Sequence, residues 1–348
     1  MTETRLTELG WTARFAEQVT PADADLVPYR ISEIRRDRAT GLGADPAPRE
    51  LIFRGDMGAG ELAVGDWVMV EADTARIARV LERATLLQRK AAGIEIKPQL
   101  IAANVDVLFI TTSCNEDFSV PRLERYLALA MEAGCAPVIV ITKADTCADP
   151  TPYIDEARAI SPRITDVIAL NAKDPDELAP LHAYLGAGQT VAFIGSSGVG
   201  KSTLIKRLTG LDLATGGIRE DDAKGRHTTT HRALYPLDTG GLVIDMPGMR
   251  ELALMEVSSG LDDLFEDIVD LSLRCKFRDC AHEGEPGCAV RAAIEDGTLD
   301  AERYARFLKL KSEDAYHSET VQEARARGKA FGKMVKSVKK TKRDKFRR

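Results

Sequence analysis

The sequence predicts a multidomain α/β protein organised around a mostly parallel sheet. Three observations point to it. From about Gln99, short apolar strands alternate with amphipathic helical stretches, as in a parallel sheet covered on both faces. Thr190–Leu204 reads T-V-A-F-I-G-S-S-G-V-G-K-S-T-L, a buried strand that runs through a glycine-rich loop into a helix. Three cysteines and a histidine cluster between Cys275 and Cys288 in an otherwise helical region.

The elements follow in order. Thr12–Glu17, Leu26–Ile34, Glu50–Arg54, Trp67–Glu71 and Ala75–Val80 read as short β-rich strands. Turn residues at Gly41-Leu42-Gly43, Gly58–Gly60 and Gly65-Asp66 separate them. Such a run fits a small N-terminal β-barrel of the OB type, and Leu86–Lys97 then reads as a polar, charged crossover. Val105–Thr111 is a continuous apolar strand. Ser119 and Pro121 open a helix whose apolar face is Leu123, Tyr126, Leu127 and Ala130, and Gly134 ends it. Pro137–Thr142 and Asp166–Leu170 read as strands, Tyr153–Ile160 and Pro175–Tyr184 as helices, and Gly241–Asp245 as the last strand. Ligands of such a sheet lie beyond the C-terminal ends of its strands. From Ser258 the pattern is helical: Leu261, Leu264, Phe265, Ile268 and Val269 share a face. Ala289–Ile294 and Ala301–Leu310 follow, the second capped by Asp300. The expected domains are 1–97, 98–257 and 258–324, with a basic tail over 325–348.

The chain has 348 residues, 44% hydrophobic and 29% charged, an ordinary globular composition. Its net charge of −6 conceals an asymmetry. Arg325–Arg348 carries a dozen Lys and Arg against the single acid Asp344, which suggests a polyanionic partner for the tail. Met1–Gly10 has no apolar core like that of a signal peptide, and no apolar run approaches membrane-spanning length. A cytoplasmic protein with no membrane partner is therefore expected. In that compartment the clustered cysteines favour a metal over disulfides.

Gly195, Gly200, Lys201 and Ser202 fit G-x-x-x-x-G-K-[ST]. In such a loop, formed here by Gly195, Ser196, Ser197, Gly198, Val199 and Gly200, backbone N–H groups turn inward on a phosphate. The following helix N-terminus, with Lys201, Ser202 and Thr203, adds partial positive charge. Lys201 is expected to reach the β- and γ-phosphates and Ser202 to hold Mg²⁺. Thr142-Lys143-Ala144-Asp145 resembles the N-K-x-D guanine signature of GTPases. Guanine presents two adjacent donors, N1–H and N2–H₂, and one carboxylate accepts both; adenine lacks the pair. Asp145 is thus the expected discriminator, with the Lys143 stem over the base. Thr142 stands where the signature has Asn and lacks the amide that would tie this loop to the phosphate loop, a loss bearing on affinity rather than specificity. Asn171-Ala172-Lys173 occupies the place of a second, weaker base-contacting motif.

Asp245-Met246-Pro247-Gly248 resembles D-x-x-G, with Asp245 on the magnesium side and the Gly248 N–H as sensor of the γ-phosphate. Gly225–Thr230 reads G-R-H-T-T-T and lies where switch I completes the Mg²⁺ shell; Thr229 is the expected ligand. The guanine motifs precede the phosphate loop, so the order is that of a circularly permuted GTPase. This order, with G-R-H-T-T-T, D-x-P-G and the Cys/His cluster, closely resembles the ribosome small-subunit-dependent GTPase A family over essentially the whole chain. Many GTPases place a Gln after the D-x-x-G glycine to hold the attacking water; here Met249 stands there. Slow intrinsic hydrolysis is expected, with stimulation by a partner. The resemblance implies a water-positioning, catalytic role for His227, beside Lys201.

Cys275, Cys280, His282 and Cys288 read C-x₄-C-x-H-x₅-C, a donor set that closes a tetrahedral structural Zn²⁺ site. The resemblance implies a monomeric GTP hydrolase that binds the 30S ribosomal subunit and its 16S rRNA late in assembly. The alternative is a nucleotide-switched RNA-binding scaffold in which hydrolysis is incidental. An ATP-dependent kinase or ATPase is a third reading.

Overall fold

The structure is a computed structural model that describes residues 2–90, 98–211, 232–246 and 257–318. Helices α1 (Thr2–Glu8) and α2 (Ala13–Ala16) precede strands β1 (Leu26–Ile34), β2 (Arg38–Leu42), β3 (Arg49–Ile52), β4 (Trp67–Glu71) and β5 (Ile77–Val80). Antiparallel ladders join β1 to β2, β2 to β3, β1 to β4 and β4 to β5. One parallel bridge, Ile52 to Arg76, links β3 to the start of β5 and completes a ring of pairings. Tyr29, Ile31, Ala39, Leu51, Leu62, Val68, Val70 and Ile77 fill its interior.

Three readings of this region are corrected. Thr12–Glu17 is not a strand: Ala13–Ala16 is helical, and Trp11 and Phe15 pack on Trp67. The expected turn at Gly41-Leu42-Gly43 is mostly the end of β2. Its glycines lie against the Tyr29 ring, where a Cβ on Gly41 would come within 3.1 Å of Tyr29 and one on Gly43 within 2.6 Å. The expected crossover begins as a strand: β6 (Leu86–Lys90) pairs antiparallel with β7 (Pro98–Ala103).

The central unit comprises β8 (Val107–Ser113), α3 (Val120–Glu132), β9 (Ala136–Thr142), α4 (Thr151–Arg158), β10 (Asp166–Ala169) and α5 (Ala179–His182). It continues with β11 (Thr190–Gly195), α6 (Lys201–Thr209), β12 (Ala233–Pro236) and β13 (Leu242–Asp245). The expected helix Pro175–Tyr184 is shorter, one 3₁₀ turn followed by α5. The strands lie in the order β10-β9-β8-β11-β13-β12-β1-β2-β3, and β4 and β5 extend from β1, so eleven strands share one sheet. Strands β10, β9, β8, β11 and β13 are parallel, while β12 runs antiparallel and meets β1 at Glu33 and Ala233.

Every residue of β8 is buried, as a strand covered on both faces requires. On one face, Phe109, Val140 and Phe193 pack with Leu181, Leu204 and Ile205. On the other, a single apolar cluster runs from Phe15 and Trp67 through Leu127 of α3 to Phe265, Ile268, Val290 and Phe307. The last four belong to the C-terminal unit of α7 (Ser258–Leu264), α8 (Glu266–Leu273), α9 (Ala289–Glu295) and α10 (Ala301–Ser318). Asp300 caps α10 by accepting from the Glu302 and Arg303 N–H groups. No described helix is long and apolar enough to cross a membrane.

Candidate nucleotide-binding site

The register of the parallel strands brings the phosphate loop and the guanine loop to one edge of the sheet. Thr111 pairs with both Gly195 and Val140, and Ser113 pairs with Thr142. The loops after β9, β10 and β11 therefore all start beyond the C-terminal ends of neighbouring strands. Gly195 opens the phosphate loop with φ +148°, and a Cβ there would collide with the Thr111 carbonyl oxygen. Only glycine lets the loop leave β11 this close to β8. Gly200, at φ +98°, turns the chain into α6.

Thr142 Oγ1 lies 2.5 Å from the Val199 carbonyl oxygen in the phosphate loop and 3.1 Å from the Thr112 carbonyl oxygen. The expected loss at this position is corrected: the hydroxyl makes the tie that Asn would make. Lys143 follows in the left-handed region at φ 57°, and Ala144–Thr146 forms a 3₁₀ turn that leaves Asp145 exposed. The Ala144 N–H donates to the Leu170 carbonyl at 3.3 Å, joining this loop to the one that carries Asn171. That second loop is shaped by its own side chains. Asn171 Oδ1 accepts from the Lys173 N–H at 3.0 Å, and Glu177 accepts from the Asn171 N–H at 2.7 Å.

Lys201 Nζ donates to the Gly195 and Ser196 carbonyls at 2.7 and 2.6 Å. Asp245, ending β13, has its pKa raised by burial and drawn back by the nearby Lys201 ammonium. Ser197, Gly198 and Ser202 are exposed. His227, Thr229, Gly248 and Met249 lie outside the described residues, as does the basic tail.

The four expected metal ligands come together. One donor atom from each of Cys275, Cys280, His282 and Cys288 lies within 4.8 Å of the others. A tetrahedral site with metal–sulfur bonds of about 2.3 Å needs sulfurs about 3.8 Å apart; Cys275 and Cys288 Sγ are 4.0 Å apart. His282 points Nδ1 at Cys288 Sγ, 3.3 Å away, and its Nε2 lies 3.4 Å from Ser272 Oγ. The Ala289 and Arg291 N–H groups donate to the Cys275 and Cys288 sulfurs, as they do to thiolates. The donor set fits one metal ion.

Sequence reasoning missed two features here. The Glu285 carboxylate accepts from the N–H groups of Ala281, Glu283 and Gly284, and backbone donors, that of Gly284 foremost, hold its pKa down at about 2. It pins the metal-binding loop from within, a role readable only once E-P-G-C is seen as a turn. The second is Arg122 of α3, whose Nη1 donates to Ser196 Oγ of the phosphate loop at 2.7 Å. No spacing in the sequence joins residues so far apart.

The sequence model of the family described as RsgA GTPase matches residues 80–255. A curated relative from Mesorhizobium japonicum, named small ribosomal subunit biogenesis GTPase RsgA, is 50% identical over 90% of this chain and 91% of its own. The chain belongs to the RsgA GTPase family. A second RsgA relative, from Vibrio parahaemolyticus, is 43% identical over 98% of this chain and 95% of its own. Among solved structures, YjeQ from Thermotoga maritima has a TM-score of 0.60 and 26% identity, covering 83% of this chain and 99% of that one. YloQ, described as a circularly permuted GTPase, has the same TM-score and identity and covers 86% and 99%. The central unit is thus a circularly permuted GTPase fold, and membership in the RsgA family makes the protein a GTPase. The reversed order is visible in the sheet itself: β9 and its guanine loop precede β11 and its phosphate loop, yet both loops meet through Thr142 and Val199.

Proposed function

We propose that the chain binds GTP between residues 142–145 and 195–203 and hydrolyses it in the biogenesis of the small ribosomal subunit. The observation that supports this best is the Thr142–Val199 hydrogen bond, which holds a guanine-specific carboxylate and a phosphate cradle at fixed separation. Asp145 accepts the two guanine donors, Lys143 covers the base, and Asn171, Ala172 and Lys173 close its far edge. The amides of Ser196–Gly200 and the Lys201 ammonium stabilise charge developing on the phosphates as water attacks the γ-phosphate in line. Ser202 and Thr229 would hold Mg²⁺, which would neutralise phosphate charge, and Asp245 would orient its bound water. Gly248 senses the γ-phosphate, and His227 places the water that Met249 cannot.

The C-terminal donor set would hold one structural Zn²⁺ that staples the connection between α8 and α9 onto the apolar cluster those helices share. The ring of β1–β5 supports an OB-type assignment for residues 1–97, followed by the permuted GTPase domain over 98–257. The helical zinc domain spans 258–324, and the tail over 325–348 supplies positive charge toward 16S rRNA. The protein works in the cytoplasm as a monomer on the 30S subunit, the assembly that its relatives' name points to. Phosphate release measured with purified 30S subunits across a salt series tests this. Turnover should rise severalfold with subunits and fall back as salt increases. GTP hydrolysis indifferent to subunits at every salt concentration, or equal use of ATP, overturns it.

A further inference from the structure

The phosphate loop is held from outside at two points. Thr142 grips its far side at the Val199 carbonyl. Arg122 grips its second residue: Nη1 donates to Ser196 Oγ at 2.7 Å, and the same nitrogen lies 3.4 Å from the Asp117 carbonyl. Tyr126, one helical turn on and buried, also has its hydroxyl near Ser196. Arg122 and Tyr126 are thus an i, i+4 pair on the face of α3 that meets the loop. The rest of α3 is fixed elsewhere. Buried Glu124 accepts from Arg306 Nε at 2.9 and 3.1 Å. Arg125 makes a two-pronged pair with Glu313, and Glu132 accepts from Ser259 Oγ and the Gly260 N–H. The helix bearing Arg122 is therefore anchored to α10 and α7, and the guanidinium projects from a rigid mount.

We propose that Arg122 is a positioning residue for GTP hydrolysis that acts through Ser196. With GTP in the site assigned above, the amides that follow Ser196 face the phosphates, and their aim depends on where Ser196 is held. A guanidinium stays charged at every working pH, and its bond to the hydroxyl is the stronger, charge-assisted kind. Arg122 donates to a loop hydroxyl, so it shapes the cradle without touching nucleotide.

The test is a double-mutant cycle on the full chain: Arg122→Ala, Ser196→Ala, both together, and Arg122→Lys. The readouts are kcat and KM for GTP and the dissociation constant for GDP. Arg122→Ala should lower kcat about tenfold, as a small misplacement of catalytic donors does, and change the GDP constant by less than about threefold. Ser196→Ala should give the same loss, the double variant no further loss, and Arg122→Lys should recover most of it. Losses that multiply in the double variant place the Arg122 effect elsewhere and overturn the clamp. So does an unchanged kcat, or a loss confined to KM and GDP affinity. Should Arg122→Ala melt below the assay temperature, Arg122→Gln, which keeps most of the side-chain stem and loses the charge, takes its place in the cycle. A wild-type chain that neither takes up nor hydrolyses GTP overturns the site assignment and the clamp with it.

Discussion

Thr142 Oγ1 sits 2.5 Å from the Val199 carbonyl oxygen, so one hydroxyl joins the guanine loop to the phosphate loop. Thr142 is fully buried, and the same side chain packs on Gly200, whose Cβ position is 3.3 Å from Oγ1. Thr142→Val keeps the shape and removes the donor. Leaving the carbonyl unpaired costs about 1–2 kcal/mol, so GTP and GDP should each bind roughly tenfold more weakly. The ratio of guanine to adenine nucleotides should not move, because Asp145 is untouched. Titration with a fluorescent GDP measures this; unchanged affinity would mean the tie contributes nothing.

Asp145→Asn changes the pattern offered to the base. The carboxylate accepts twice, whereas an amide accepts once and donates once. Xanthine replaces the guanine amino donor with a carbonyl acceptor and matches the amide. GTP affinity should fall by about 2–3 kcal/mol while xanthosine triphosphate becomes the better ligand. Competition between the two nucleotides reads the reversal directly.

Arg306→Leu should destabilise the protein by about 3 kcal/mol, because it takes away the hydrogen-bonding partner of the buried Glu124 carboxylate and leaves Arg303 at 4.0 Å. Burial already pushes the Glu124 pKa up, and Arg306 opposes that shift. Adding Glu124→Leu should recover most of the loss. Urea unfolding of the two single variants and the double variant gives the comparison.

Cys288→Ser should abolish binding of one equivalent of zinc and loosen the C-terminal helices while leaving GDP affinity nearly intact. Metal analysis and hydrogen exchange over 258–318 are the measurements. Loss of GDP binding in parallel would show that the metal supports the nucleotide site as well. Removing zinc from the wild-type chain with a chelator should reproduce the exchange pattern.

His227→Ala should lower 30S-stimulated turnover about a hundredfold and leave GTP affinity within a factor of about two, as loss of a water-positioning group does. Equal stimulated rates in variant and wild type remove His227 from the mechanism.

The sequence made the permuted order legible, because each motif is short, local and tied to a strand end. The Cys/His cluster was legible because its four donors are close in sequence, although it lies between helices α8 and α9. What stayed hidden depended on contact. Trp11 and Phe15 are four apart, and Trp11-x-Ala13-x-Phe15 satisfies period two as well as one helical turn; packing on Trp67 decides for the helix. Gly41 and Gly43 suggested a turn, yet they make room for the Tyr29 ring beside a strand. Gln88-Arg89-Lys90 suggested a solvated crossover because its polarity conceals a ladder with β7. Thr142 was legible as a departure but not as a replacement, since only the distance to Val199 shows that a shorter side chain reaches. Arg122 carried no signal, because its partner lies in another segment of the chain.

The sheet does not stop at the border of the nucleotide-binding unit. Strand β12 meets β1 at Glu33 and Ala233, and Arg30, wholly buried, donates to the Leu9 and Gly65 carbonyls on its own side and to the Asn104 carbonyl across the seam. The N-terminal ring is therefore welded on rather than tethered, and whatever it grips keeps a fixed bearing toward the loops after β9 and β11. A chain shortened to start at residue 81 would bare the flank of β12, inviting copies of itself to stack there and leaving a sticky fragment instead of a minimal enzyme.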